Sequence, residues 1–129
     1  MKLRIVAAAV AGVLGASLIA TPSYADSGCM NLIFHTPTRT EARGCFYSYG
    51  DHFTIGDYRA DGYRAVVEWE TDYGRTGECH DANGADNGDV DCNENLAETG
   101  SVRIRTVIRD GSDGWNRYLT NWSPWMKIS

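Results

Sequence analysis

The chain has 129 residues, of which 43% are hydrophobic and four are cysteine, and its formal net charge is −5. This length allows one domain of ordinary size. The hydrophobic content is too high, and the net charge too small, for a disordered chain. The surplus of acidic residues argues against nucleic acid as the main partner, because contacts to phosphate need Lys and Arg.

An N-terminal leader is predicted over residues 1–25. Lys2 and Arg4 make the start positive, an apolar run follows, and small residues stand around a cleavage position after Ala25. These features are typical of a secretory signal peptide, and the apolar run is shorter than the roughly 20 residues that span a bilayer. Cleavage would leave a single domain, residues 26–129, with 104 residues and a net charge of −7. We therefore expect a secreted, extracellular protein that has no membrane contact after cleavage.

Four cysteines lie in the predicted mature chain: Cys29, Cys45, Cys79 and Cys92. An even number of cysteines in an exported protein indicates disulfides. Three pairings are open on the sequence alone. We favour Cys29–Cys45 with Cys79–Cys92, because each pair closes a short loop across a plausible hairpin. A zinc site is not expected, since the chain has no CxxC and its histidines lack ligand spacing.

Short β-rich runs between Gly and Asp turns dominate the mature chain, and no segment keeps an apolar helical period over three turns. The clearest strand is Ser101–Arg109, in which apolar side chains alternate with a largely basic face. The pattern predicts an all-β domain, a small disulfide-bonded antiparallel sandwich or barrel of six to eight strands. The other predicted strands are residues 31–35, 45–49, 52–55 and 63–70, with one or two more in 115–128.

Residues 71–100 are predicted to form a long surface loop. Between Glu68 and Glu98 there are ten acidic residues and one basic residue, Arg75. The sequence therefore predicts an acidic loop, tied by Cys79–Cys92, beside a mildly basic body. We expect no metal ion and no cofactor, although a weak calcium site in this acidic stretch, at Asp86, Asp89 and Asp91, stays an alternative.

Catalytic motifs are missing from the sequence, which has no GxSxG, HExxH or phosphate-binding loop. We therefore predict that the chain is not an enzyme. One short run, Tyr49–Phe53, resembles the GDHY stretch of the secreted guanyl-specific ribonucleases of streptomycetes. That resemblance implies a small secreted hydrolase or ribonuclease with His52 as the acid, which is kept as an alternative. A tight turn at Gly50-Asp51 explains the same residues without chemistry.

Aromatic side chains crowd the C-terminal segment, and they are the candidate binding residues. One strand cannot bury all of them on one face, so some are expected at the surface, where Trp and Tyr bind proteins or sugar rings. The alternative is that they cap an open end of the core. The candidate residues are Trp115, Tyr118, Trp122 and Trp125.

Taken whole, residues 29–125 resemble the small secreted two-disulfide β-proteins of filamentous actinobacteria. The resemblance rests on the run Gly44–Trp69, the later cysteine-containing stretch and the aromatic tail. One type in this group is the proteinaceous amylase inhibitor, whose first two cysteines are sixteen apart, as Cys29 and Cys45 are here. Its Trp-Arg-Tyr triplet is absent. Another is the adaptor subunit of umbrella-shaped antibacterial toxin particles, a small β-domain that joins larger exported proteins.

We therefore predict a secreted, non-catalytic binding module that acts through protein–protein contacts. It would serve as an adaptor of an extracellular assembly such as a toxin particle, or as a proteinaceous enzyme inhibitor. The expected partner is another extracellular protein and not nucleic acid. The alternative is a carbohydrate-binding module that recognises cell-wall or other polysaccharide through the C-terminal aromatics.

Overall fold

A computed structural model describes residues 26–34, 37–85 and 87–129, so the predicted signal peptide at 1–25 lies outside the described residues. The described residues form nine β-strands and no helix. The strands are β1 (Ser27–Leu32), β2 (Ala42–Tyr47), β3 (His52–Asp57), β4 (Arg64–Thr71), β5 (Thr76–Asp81), β6 (Val90–Asn93), β7 (Ser101–Arg109), β8 (Asn116–Leu119) and β9 (Met126–Lys127).

Two antiparallel sheets pack face to face as a sandwich. Sheet A has the order β1-β2-β3-β6, and sheet B has the order β5-β4-β7-β8, with the two-residue β9 pairing the other end of β7. The prediction of an all-β, disulfide-bonded antiparallel fold is confirmed, and the arrangement is a sandwich rather than a closed barrel. Within the part of the chain that is described, no helix is long and apolar enough to cross a membrane.

The predicted strands agree best where the apolar period is cleanest. β7 spans the predicted 101–109, and β4 lies within one residue of the predicted 63–70. The predicted loop over residues 71–100 is wrong in part, because β5 and β6 lie within it. Both are sheet edges, where one flank is solvated and charged side chains are tolerated.

The core lies between the two sheets and is centred on aromatic rings. Phe53 stacks on Trp69 with ring centroids 5.0 Å apart, and Phe46 packs against Phe53 at 5.1 Å. On β7 the predicted inward set is buried, including Ile104 and Thr106, which are both fully inaccessible. Burying a large apolar side chain contributes roughly 1.5–3 kcal/mol, so these residues hold the sheets together.

Both disulfides have the pairing favoured above, Cys29–Cys45 and Cys79–Cys92. The first does cross neighbouring strands, since Cys29 lies opposite Cys45 in the β1–β2 register. The second is not a hairpin bridge. Cys79 is on the edge strand of sheet B and Cys92 is on the edge strand of sheet A, so this bond joins the two sheets along one side of the sandwich.

A buried hydroxyl joins the two sheets where they approach closely. The Gly44 N–H donates to Thr106 Oγ1 at 3.0 Å, and that hydroxyl donates to the Met30 carbonyl oxygen at 2.6 Å. Thr106 of sheet B thereby bridges β1 and β2 of sheet A. The approach requires glycine, because a Cβ on residue 44 would lie 2.7 Å from the same hydroxyl and 2.9 Å from Val67.

Replacing this hydroxyl tests its structural role. We expect Thr106→Val to lower the free energy of unfolding by about 2 kcal/mol, because it removes the hydroxyl that pairs with the buried Gly44 N–H and the partly buried Met30 carbonyl. Thr106→Ser keeps the hydroxyl and is the matched control, with an expected loss of about 1 kcal/mol for the missing methyl. Urea unfolding measures both variants. A Thr106→Val protein as stable as the parent would contradict the bridge.

Candidate binding surfaces

The four predicted aromatic residues do not form one platform. Trp115 and Trp125 are exposed, at 67% and 46% of their surface, whereas Tyr118 and Trp122 are partly buried. Tyr118 lies opposite Ile108, on the inward side of sheet B, and packs against the core. Tyr118 therefore lies at the periphery of the core, and the three tryptophans lie in two separate parts of the surface.

Trp122 and Trp125 lie together over the N-terminal half of β7. The guanidinium carbon of Arg103 is 5.0 Å from the Trp122 ring centroid and 4.7 Å from that of Trp125. Arg105 lies 4.7 Å from Trp122. Cation–π contacts at these distances hold the arginines and the tryptophans in fixed positions. We call this part of the outer face of sheet B the charged face.

Carboxylates of β4 and β5 neutralise the arginines of the charged face. Glu70 pairs with Arg103, and Glu68 pairs with both Arg105 and Arg109. The antiparallel register produces these pairs, since Glu70 lies opposite Arg103 and Glu68 opposite Arg105. The predicted division into an acidic loop and a basic body is therefore wrong here, because part of the acidic stretch is folded against the basic strand.

Glu78 extends this network to the sheet edge. It accepts from Arg109 Nη1 at 2.8 Å and contacts His80 Nε2 at 2.7 Å. The hydrogen bond from Arg109 holds the pKa of Glu78 below its ordinary value, and Glu78 in turn raises the pKa of Arg109. Beside it, a shallow cleft of about 290 Å³ is lined by Glu68, Glu70, Glu78, Thr76 and Trp122.

A second surface is the apolar groove between edge strands β1 and β8. It has a volume of about 620 Å³ and lies on the side of the sandwich away from Cys79–Cys92. Ile33 and Leu119 line it and are 49% and 50% exposed, and Phe34 is 53% exposed. The ring centroids of Phe34 and Tyr118 are 3.7 Å apart.

Apart from Tyr118, the residues that line the groove were not among the candidate binding residues predicted from the sequence. Ile33 and Phe34 stand side by side in NLIFH, and consecutive strand residues point to opposite faces, so both could not enter one core. This pair of adjacent apolar residues was the feature of the sequence that could have predicted an exposed apolar side chain here. Leu119 carries no such signal, because its exposure depends on β8 being an edge strand.

Trp115 lies beside Arg117, outside the lining of the groove. The guanidinium carbon of Arg117 is 5.4 Å from the Trp115 ring centroid and 4.4 Å from that of Tyr63. Arg117 also lines the groove itself. Of the predicted aromatics, Tyr118 therefore lines the groove and Trp115 adjoins it only through Arg117, whereas Trp122 and Trp125 belong to the charged face.

His52, the candidate acid of the hydrolase alternative, lies on the outer face of sheet A. Its Nδ1 is 2.9 Å from Asp91 Oδ1, and both side chains are at the surface. Tyr47, Tyr49 and Thr54 lie beside them in an open hollow. The Gly50-Asp51 turn is confirmed, with φ of 77° and 54°.

Two of the three acidic residues considered for calcium, Asp89 and Asp91, are engaged in other contacts. Asp91 contacts His52, and Asp89 accepts from the Tyr58 hydroxyl at 3.1 Å. Asp86 lies outside the described residues. Among those that are described, no three His, Cys, Asp or Glu side chains form a group that could hold a metal ion.

Three carboxylates are buried where β2, β3 and β5 meet: Glu41, Asp57 and Asp81. The Asp57 amide donates to Asp81 Oδ2 at 2.9 Å, and Asp57 Oδ1 accepts from the Arg59 amide. Asp57 Oδ2 is buried without a hydrogen-bond partner. Burial raises the pKa of Asp57 from 3.8 to about 6, and the charges of Asp61, Asp81 and Glu41 act in the same direction.

Neutralising Asp57 is expected to stabilise the protein at neutral pH. Because the folded-state pKa lies above the unfolded value, the contribution of Asp57 to stability is present below about pH 4 and is lost as the pH rises through 6. We expect Asp57→Asn to unfold with about 2 kcal/mol more free energy than the parent at pH 7.5, and with a similar free energy at pH 4.

Urea unfolding between pH 4 and pH 8 measures this difference. Asp113→Asn, at an exposed position, is the control and should change stability little at any pH. An Asp57→Asn advantage that is constant with pH, or that grows towards acid, would show that folding does not raise the pKa of Asp57.

Three surfaces with different chemistry thus stand out on the described residues. The charged face carries paired ions with two tryptophans, the groove is apolar and holds Arg117, and the outer face of sheet A carries His52 and Asp91. The chain matches no protein-family model, no curated protein and no solved structure.

Proposed function

We propose that the chain is a secreted, non-catalytic binding module that acts through protein–protein contacts at the apolar groove. The observation that carries the proposal is the joint exposure of Ile33 and Leu119 between two edge strands. Exposed apolar surface gathered in one place regains free energy when a partner covers it. The edge strands β1 and β8 also offer backbone donors and acceptors to an added strand.

An extracellular location fits the covalent structure. Two disulfides indicate an oxidising environment of the extracellular type. The leader predicted at residues 1–25 is the second support for secretion. An oxidised, cross-linked scaffold suits a binding module, because a rigid surface loses little conformational entropy when a partner binds.

Two kinds of protein–protein module are compatible with this groove, an adaptor and an enzyme inhibitor. An adaptor of an extracellular assembly, such as a toxin particle, joins two partners and needs a second contact surface. The charged face, with Trp122 and Trp125, is our candidate for that second surface. An inhibitor needs only the groove and one enzyme.

A charge placed in the groove tests the proposal. We expect Leu119→Asp to reduce capture of the partner from the culture medium of the producing organism by at least about tenfold, because a carboxylate would be desolvated in an apolar contact. Stability should change little, since half of the Leu119 surface is exposed. Quantitative affinity capture with immobilised protein, followed by mass spectrometry, measures the loss.

Tyr49→Asp is the matched control, because Tyr49 is 93% exposed and lies outside the groove. It should capture as much partner as the parent. Equal capture by the parent and by Leu119→Asp would contradict the proposal. Loss of the same partner from both Leu119→Asp and Tyr49→Asp would also contradict it.

Polysaccharide binding at the cleft beside Trp122 is the second candidate. The observation that favours it is the combination of an indole ring with three glutamates along one cleft, since sugar rings stack on Trp and donate hydroxyls to carboxylates. The pairing of Glu68 and Glu70 with arginines counts against it, because their oxygens already have donors.

Titration with chitin, cellulose and peptidoglycan fragments separates the two candidates. A saccharide site would change the tryptophan fluorescence, and Trp122→Ala would abolish the change while Trp115→Ala would keep it. If the chain binds a protein at the apolar groove instead, we expect the tryptophan fluorescence to stay unchanged with all of these fragments.

A further inference from the structure

Arg117 occupies an unusual backbone position at the end of the groove. In the β7–β8 pair, Ile108 lies opposite Tyr118 and Arg109 lies opposite Asn116. Arg117 is therefore the extra residue of a β-bulge. A bulge turns one side chain away from the regular alternation of the strand, and here it brings the guanidinium over the Tyr63 ring.

Two aromatic rings flank the Arg117 guanidinium, and no described carboxylate pairs with it. Tyr63 and Trp115 both lie within cation–π distance of its central carbon. The Nε atom is buried and has no hydrogen-bond partner. Arg117 also forms no ion pair with any described carboxylate, whereas Arg103, Arg105 and Arg109 on neighbouring β7 are all paired with glutamates.

The terminal nitrogens of such an arginine are free to bind an anion. The Nε atom is buried and out of reach of a partner, whereas Nη1 and Nη2 are not among the buried atoms. A carboxylate that met Nη1 or Nη2 would form charge-assisted hydrogen bonds, which are about twice as strong as neutral ones. Because the rings already restrict the side chain, little additional rotamer entropy would be lost.

We propose that Arg117 is the recognition site for an Asp or Glu side chain on an extended partner segment that lies in the apolar groove. This inference rests on the proposed function, since Arg117 lines the same groove as Ile33 and Leu119. The apolar side chains of the partner cover those two residues, and its carboxylate meets the guanidinium. Arg117 is the only charged residue among those that line the groove in the described structure, so charge complementarity selects an acidic segment.

Variants of Arg117 test the inference with the captured partner. Arg117→Gln should weaken partner binding about tenfold or more, and Arg117→Lys should restore only part of it, because Lys lacks the planar fork. Arg43→Gln, at an exposed arginine on the outer face of sheet A, is the control and should bind normally. If Leu119→Asp abolishes binding and Arg117→Gln does not, the groove is functional and the carboxylate inference is wrong.

A pair of defined peptides tests the same point without the natural partner. The probe is acetyl-Thr-Val-Glu-Val-Thr-amide, and the matched probe has Gln in place of Glu. We expect the Glu peptide to shift the Nε–H resonance of Arg117 in NMR spectra in a saturable way, and the Gln peptide to bind about tenfold more weakly. Equal affinities for the two peptides would overturn the inference. So would an Arg117 resonance that does not shift at a Glu-peptide concentration of about 10 mM, which is enough to detect a weak ion pair.

Discussion

The Cys79–Cys92 disulfide joins the two sheets along one side of the sandwich, and the rest of the architecture depends on that asymmetry. With β5 and β6 held together, the opposite side is formed by β1 and β8, which no disulfide joins. The first disulfide reinforces β1 against β2 within sheet A, and Thr106 fastens both strands to sheet B. The sheets are thus fixed relative to each other while the groove between β1 and β8 stays exposed.

Charge is distributed with the same asymmetry. On the charged face, the antiparallel register sets Glu68 and Glu70 opposite arginines, so the ions satisfy one another and stiffen the outer surface of sheet B. Across the bulge in β8, Arg117 is turned out of that register and pairs with none of the carboxylates that the structure describes. Recognition is therefore expected where the intramolecular pairing ends, at the boundary between apolar surface and an unmatched cation.

Local sequence pattern predicted the strands that have one clean apolar face, and it failed where a residue's role depends on a distant partner. β7 was predicted residue for residue. β5 was missed because Glu78 and His80 are charged or polar, and Arg109, which pairs with Glu78, lies about 30 residues away. β6 was missed because it is short and contains Asp91 and Asn93. The pairing of Cys79 with Cys92 was predicted for a wrong reason, since the bond crosses between sheets. The aromatic tail was recognised as a group, but its division depends on a bulge that no local pattern shows.

Site-specific photo-crosslinking tests the central claim, that the groove is the surface that meets another protein. A photoreactive amino acid placed at Leu119 should give one discrete adduct in the culture medium, and the same group placed at Tyr49 should give none, because Leu119 lies in the groove and Tyr49 does not. The partner peptide attached at Leu119 is expected to come from an extended segment that contains Asp or Glu. An adduct at Tyr49 with none at Leu119 would contradict it.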